Sequence, residues 1–113
     1  MTLESGIPVL IDSGITAPAA GNTFTIEPSP PGRDFSIIFA VITGTTISAD
    51  LQASLDGGTT WDLVTAAILT AVPSGGVGPA GSAKVVTPIV AGPLYRLNYT
   101  TATGTIAVRA CKN

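Results

Sequence analysis

The sequence predicts an all-β fold, a single antiparallel β-sandwich of jelly-roll type with seven or eight strands. Three observations predict it. Apolar and polar residues alternate with a period of two in several short segments, turn-forming glycines and prolines separate these segments, and helix-start signals are nearly absent. The 113 residues are enough for one domain with one core. We therefore expect a β-sandwich domain over residues 9–113, preceded by a polar N-terminal arm without periodicity over residues 1–8.

The clearest element is a β-hairpin. From Ile47 to Leu55 every second residue is apolar, which is typical of a strand with one buried face. Asp56-Gly57-Gly58 then supplies a carboxylate that accepts backbone N–H bonds and two residues that tolerate positive φ. The pattern S-x-D-x-G-x-T-W resembles the Asp-box, a turn motif of sialidase-like propellers and other β-proteins. In those proteins the box is a folding device remote from chemistry, so the resemblance implies a structural role for its five positions: Ser54, Asp56, Gly58, Thr60 and Trp61.

Strands are predicted on the N-terminal side of this hairpin as well. Residues 9–11 form a short apolar run that ends at Asp12-Ser13-Gly14, and residues 23–27 alternate. Residues 34–42 carry apolar side chains at both odd and even positions, so both faces of a strand formed by them would be apolar. This strand is therefore predicted to be covered on both faces, either centrally within the fold or by a neighbouring subunit.

The C-terminal half predicts the remaining strands. Residues 63–69 favour a strand over a short helix, since Thr65 favours strand and no capping box precedes the segment. Residues 84–90 predict an edge or bulged strand, because Pro88 cannot donate a ladder hydrogen bond. Two alternating segments flank a turn at residues 101–104, which predicts a second hairpin with these residues facing the core: Tyr95, Leu97, Tyr99, Ile106, Val108 and Ala110.

The composition indicates that the chain is buried against other protein. Hydrophobic residues make up 45% of the chain and charged residues 11%, with a mean hydropathy of +0.50, whereas soluble domains carry roughly 25% charged residues. A membrane span is not expected, because the longest uncharged run, residues 63–83, contains two prolines and a Gly-Gly pair. No signal peptide is expected either, since residues 1–8 lack a basic residue and an apolar block. Oligomerisation or docking on a larger assembly is the interpretation that remains.

The residue inventory excludes several kinds of chemistry. The net charge is −2 and the five basic residues are scattered, so nucleic-acid binding is not expected. The chain has no histidine and one cysteine, so a His-based triad or a His/Cys zinc site cannot form. Cys111 is predicted to be a small, buried apolar residue of the last strand, with a reactive thiol or an intermolecular disulfide as the alternative.

Carboxylates and aromatic rings are the remaining candidate groups. Asp50, Asp56 and Asp62 lie near the hairpin, and a pair of carboxyls can hydrolyse a glycosidic bond. We expect solvated surface instead, hence no enzyme, no cofactor and no metal; a weak calcium site at Asp56 is the open alternative. Three aromatic residues offer rings on which a sugar could stack, as in a lectin-like module, although burial in the core is the favoured interpretation: Trp61, Tyr95 and Tyr99.

The whole chain, from its Thr/Ala/Val strands through S-L-D-G-G-T-T-W to L-Y-R-L-N-Y-T, is similar to head decoration (cement) proteins of tailed bacteriophages. The resemblance spans most of the chain. It implies a virion protein, made in the host cytoplasm, that sits as a homotrimer on the capsid surface and clamps the major capsid protein. The alternative is a glycan-binding module of a tail fibre or baseplate. The candidate docking residues lie in the N-terminal arm and in the uncharged segment 71–82: Met1, Thr2, Leu3, Glu4, Pro73, Gly75, Gly76, Val77 and Pro79.

Overall fold

The structure, a computed structural model, describes residues 1–28, 36–43, 46–71, 83–86 and 92–112. In these ranges the chain is all β, which confirms the predicted fold class. None of the described residues forms a helix of the length and apolarity needed to cross a membrane. The strands are β1 (Thr2–Leu3), β2 (Val9–Ile15), β3 (Ala19–Ala20), β4 (Thr25–Ile26), β5 (Ile37–Thr43), β6 (Thr46–Ser54), β7 (Asp62–Ala71), β8 (Ala83–Val86), β9 (Leu94–Thr103) and β10 (Ile106–Lys112).

Two four-stranded antiparallel sheets pack against each other. Sheet I has the order β2-β10-β5-β8, and sheet II has the order β3-β9-β6-β7. When only these eight strands are counted along the chain, the orders are 1-8-3-6 and 2-7-4-5. The first of these strands lies beside the last and the second beside the seventh, which is a nested order. The short strands β1 and β4 form a separate parallel pair.

The core lies between the two sheets. Phe24 is fully buried and packs on both of them, with its ring centroid 6.2 Å from that of Phe39 in sheet I and 6.0 Å from that of Tyr95 in sheet II. The other core residues come from alternation along the strands, because every second side chain of a strand points to the same face of its sheet. The other buried apolar residues are Leu3, Ile11, Ile26, Ile37, Val41, Ile47, Ala49, Leu51, Ala53, Ile68, Leu97, Tyr99, Ile106, Val108 and Ala110.

One buried carboxylate joins the two sheets. Asp12 of β2 is 1% exposed, and its Oδ2 accepts a 2.6 Å hydrogen bond from the Tyr99 hydroxyl of β9. Its Oδ1 accepts the backbone N–H of Asn22 at 2.6 Å. Burial raises the pKa of Asp12 above its usual value, although both hydrogen bonds act in the opposite direction. Gly21 passes so close that an added Cβ would lie 2.7 Å from Asp12 Oδ1, so this approach requires glycine.

The N-terminal segment is part of the fold and differs from the free arm expected for residues 1–8. Leu3 is fully buried in the core, and its carbonyl accepts the Glu27 N–H at 3.0 Å. Further along, Gly6 donates its N–H to the Lys112 carbonyl at 2.7 Å, and Lys112 Nζ donates to Ser5 Oγ at 2.9 Å. The segment therefore crosses from β4 to β10 and closes one side of the sandwich.

The second predicted hairpin does not form, although its two strands do. β9 pairs with β6 and β3 in sheet II, whereas β10 pairs with β2 and β5 in sheet I. The turn between them, with Gly104 at a φ of 75°, carries the chain from one sheet to the other. Both strands keep the predicted buried parity, since Leu97 and Val108 are fully buried. Alternation identifies the buried face of a strand but not the strand with which it pairs.

The outer face of sheet I carries exposed apolar side chains in the part of the chain that the structure describes. Ile37, Phe39 and Val41 of β5 are buried, but Ile38 on the opposite parity is 41% exposed. The interpretation that the fold itself covers both faces of this strand is therefore wrong. Residues 34 and 35 lie outside the described residues. Cover by a neighbouring subunit remains a proposal.

Candidate binding surfaces

The turn predicted at residues 54–61 is built around Asp56. Asp56 Oδ1 accepts the Ser54 hydroxyl at 2.7 Å and the backbone N–H groups of Thr59 and Thr60 at 3.1 and 2.8 Å. Ser54 is itself buried, and its Oγ accepts the Gly58 N–H at 2.8 Å. The N–H of Thr60 and the hydroxyl of Ser54 lower the pKa of Asp56 to about 2, since they stabilise its charged form. The carboxylate thus organises the turn.

The glycines of the turn adopt the conformations expected of them. Gly57 and Gly58 have φ angles of 76° and 101°, in the region that favours glycine. The Gly58 carbonyl accepts the indole N–H of Trp61 at 3.1 Å. The backbone of the turn therefore holds the Trp61 ring in place. This ring is half-buried and lies outside the core cluster, so the prediction that it anchors the core is wrong.

Trp61 belongs to a cluster on the outer face of sheet II. The Arg96 guanidinium lies 4.1 Å from the Trp61 ring centroid, which is a cation–π contact. Arg96 Nε donates a 2.8 Å hydrogen bond to Gln52 Oε1, and these two residues face each other across β9 and β6. All three side chains are half-buried. Hereafter Trp61, Arg96 and Gln52 are called the tryptophan–arginine cluster.

The outer face of sheet I is a second surface, and it is mainly apolar. Leu10 is 48% exposed and lies beside Arg109, whose other neighbour is Ala40. In the next row Cys111 faces Ile38. The thiol of Cys111 is free and half-buried, so the residue is on the outer face of the last strand rather than in the core. One cation thus lies among apolar side chains.

The remaining candidate groups do not converge on a catalytic or metal site. Asp50 is half-buried on the outer face of sheet II, Asp62 is exposed at the start of β7, and Asp56 is held in its turn. Within the described ranges no three acidic or cysteine side chains gather as metal ligands do. Asp56 Oδ1 already accepts the N–H groups of Thr59 and Thr60.

The predicted docking residues divide into two sets. Thr2 and Leu3 form β1, with Leu3 fully buried, whereas Met1 is 53% exposed and Glu4 is exposed. The others lie outside the described residues: Pro73, Gly75, Gly76, Val77 and Pro79.

The sequence did not predict the positions of three residues: Lys112, Asp12 and Arg96. Lys112 is fully buried, and the parity that buries Ile106 and Val108 also points it inward. Asp12 reads as the end of a strand in sequence but continues β2 into the core. Arg96 occupies an outward parity of β9, and its pairing with Gln52 depends on a register that no local pattern reveals.

Comparison with family models, with curated proteins and with solved structures finds no match to this chain. Any statement about its function therefore depends on its own residues.

Proposed function

We propose that this protein is a non-enzymatic structural protein of a phage virion, which binds the outer surface of the capsid as a homotrimer and stabilises the shell. The partners in this proposal are two further copies of the chain and the major capsid protein. The protein would be made in the host cytoplasm and reach the virion by assembly.

The outer face of sheet I carries the proposal. Leu10 and Ile38 are 48% and 41% exposed, and Ala40 and Cys111 extend the apolar surface between them. Burial of exposed apolar area against another protein is favourable by about 25 cal/mol for each Å². The remainder of the chain supplies little charge to keep such a face in solvent, since only 11% of its residues are charged. This face is accordingly the proposed contact between sister subunits.

Attachment to a shell then needs only weak contacts from each subunit. In a trimer the second and third subunits bind at a high effective concentration once the first is attached, so modest contacts add up to a firm clamp. Because Leu3 fixes the N-terminal segment in the fold, that segment would contribute through its exposed apolar side chains rather than as a free arm. Met1 and Ile7 are 53% and 50% exposed.

Oligomeric state and head binding test this proposal together. Light scattering at micromolar concentration should give three chains per particle, and the protein should co-sediment with expanded phage heads but not with free tails. Ile38→Lys should give monomers, because it places a charge in the proposed contact. Leu63→Lys is the matched control, since Leu63 is 60% exposed on sheet II. A wild-type monomer, or a trimer that tolerates Ile38→Lys, would contradict the proposed contact.

The second candidate is a glycan-binding module of a tail fibre or baseplate. Tyr95 and Tyr99 are 2% and 1% exposed and cannot stack on a sugar. Half-buried Trp61, beside polar Gln52 and Arg96, is the observation that favours this candidate. An oligosaccharide array with wild type and Trp61→Ala tests it, and binding that survives the substitution would contradict it.

A further inference from the structure

We propose that the tryptophan–arginine cluster binds an oligosaccharide that carries a carboxylate, such as one with a uronic acid. This inference names the ligand class of the second candidate function and rests on that candidate. It does not depend on the capsid proposal, because the cluster lies on the outer face of sheet II and the proposed subunit contact lies on sheet I.

The first argument is the positioning of Arg96. Its Nε is bonded to Gln52 at 2.8 Å, and its guanidinium lies over the Trp61 ring at 4.1 Å. Gln52 and Arg96 are register partners on neighbouring strands, so the pair is fixed by the sheet itself. An arginine held in this way has already lost much of its rotamer entropy, and a ligand does not have to order it again.

The second argument concerns the Nη N–H groups of Arg96, which can donate hydrogen bonds to a ligand. Arg96 Nε donates to Gln52, and within the described ranges no other residue accepts a hydrogen bond from the Nη N–H groups. The guanidinium is a planar fork that matches a carboxylate with two parallel N–H···O bonds. The two oxygens of a carboxylate can accept both of these parallel hydrogen bonds from the guanidinium. A hydroxyl has a single oxygen and cannot accept two parallel bonds.

The third argument is the aromatic ring beside the fork. Trp61 is half-buried, and the bond from its Nε1 to the Gly58 carbonyl fixes the ring on the rigid turn. The exposed part of the indole is an apolar surface next to a cation. The C–H face of a pyranose fits such a surface, and a carboxylate on the same ring would then reach Arg96.

The surrounding charges restrict the ligand further. Asp50 and Asn98 are register partners two residues along the strands from Gln52 and Arg96, and Asp50 lies on the same outward parity as Gln52. A second carboxylate over this row would be repelled by Asp50, whereas neutral sugar hydroxyls can bond to the Asn98 amide. The face therefore favours a chain in which acidic and neutral sugars alternate over a polymer of acidic sugars.

Calorimetric titration with a hyaluronan tetrasaccharide tests the inference, because this probe alternates a uronic acid with a neutral sugar. The same tetrasaccharide with its carboxyls reduced to alcohols is the matched ligand. Wild type should bind the carboxylate form at least about ten-fold more tightly, as expected for a charge-assisted bidentate contact. Arg96→Gln should abolish this preference, whereas Arg109→Gln on the outer face of sheet I should keep it, although both remove one positive charge.

The outcomes separate the inference from the function on which it rests. Equal affinity for the two forms, or a preference that survives Arg96→Gln, would overturn the inference and leave a glycan-binding module. Absence of binding to any oligosaccharide on the array would overturn both. Arg96→Lys keeps the charge but loses the fork, so it should also reduce the preference, and it serves where Arg96→Gln does not fold.

Discussion

The hydroxyl of Tyr99 donates a 2.6 Å hydrogen bond to the carboxylate of Asp12 inside the core, and this bond connects the two sheets. Both side chains are 1% exposed. Burial raises the pKa of Tyr99, and the charge of the neighbouring Asp12 carboxylate raises it further, so the phenol stays neutral. Burial also raises the pKa of Asp12. Loss of the bond leaves a buried Asp12 oxygen without its donor.

Removal of the Tyr99 hydroxyl should destabilise the protein. Tyr99→Phe keeps the ring but deprives Asp12 Oδ2 of the hydroxyl that donates to it. We expect a loss of about 1–3 kcal/mol in the free energy of unfolding, because a buried acceptor is left unpaired. Urea denaturation measures it. Thr43→Val is the control, since it removes an exposed hydroxyl that donates to the Thr105 carbonyl. If Tyr99→Phe and Thr43→Val lower the free energy of unfolding equally, the buried bond stabilises the protein no more than the exposed one does.

Asp12 should make stability fall as pH rises. Its folded pKa is raised above the usual 3.8, so the protonated form fits the core better than the charged form. The contribution of this group is complete below pH 3.8 and is lost as pH rises through the folded pKa. Asp12→Asn lacks this titration, and its stability relative to wild type should therefore increase with pH. Urea midpoints measured from acid to neutral pH test this, and a constant difference between the two proteins would refute it.

Gly21 should tolerate no larger residue while Asp12 is present. A Cβ at this position would press on the Asp12 carboxylate, and Gly21→Ala is expected to cost about 1–3 kcal/mol, the usual range for overpacking. In an Asp12→Ala background the obstruction is gone, so the same substitution should cost much less. A double-mutant cycle in urea measures the coupling. Additive costs would indicate that Gly21 serves some other purpose.

Leu3 should behave as a core residue. Leu3→Ala removes a fully buried side chain, and we expect a loss of about 2–5 kcal/mol in the free energy of unfolding. Met1→Ala, at a residue that is 53% exposed, should change it by less than about 0.5 kcal/mol. Deletion of residues 1–8 should likewise lower the melting temperature. A deletion variant with wild-type stability would contradict this prediction and support an N-terminal arm that lies outside the core.

Asp56 should make the protein sensitive to acid. Its pKa is lowered from 3.8 to about 2, first by the Thr60 N–H and then by the Ser54 hydroxyl. Its contribution is therefore present above pH 3.8 and is lost as pH falls through about 2, in the opposite direction to that of Asp12. Asp56→Asn should flatten this part of an acid-unfolding curve. Asp62→Asn, at the exposed start of β7, is the control and should follow wild type.

Sequence patterns were sufficient for the fold class and for the turn. Alternation from Ile47 to Ala53 gave the buried parity of β6, but it fails at the end of the strand, where Ser54 is buried and Leu55 is 80% exposed. The residue types of Asp56-Gly57-Gly58 gave a turn whose carboxylate accepts backbone N–H bonds. These features are local, so a single segment contains the information. The same parity rule applied to β10 would also have placed Lys112 inside.

The features that sequence did not provide depend on contacts between distant segments. Asp12 and Tyr99 are 87 residues apart, and Arg96 and Gln52 are 44 apart. The partner of β9 is likewise set by the packing of two sheets, because adjacent strands with a tight turn suit a hairpin and a crossing between sheets equally well. The burial of Leu3 was missed for the same reason. A single apolar residue in a polar segment shows no alternation from which its burial could be predicted.

The nested strand order has a consequence for how the protein acquires its structure. Leu10 in β2 pairs with Arg109 in β10, and Ser5 bridges to Lys112, so strands that lie about 100 residues apart in sequence must find each other before sheet I can close. Among the described strands, β6 and β7 are the consecutive pair that hydrogen-bonds to each other, so this hairpin can close early. Topologies dominated by such remote pairings fold slowly and expose unpaired strand edges in the meantime. We therefore expect refolding to be slow, with the Asp56 turn formed first and the N-terminal segment last, and expression yield to depend on temperature and chaperones more than equilibrium stability would suggest.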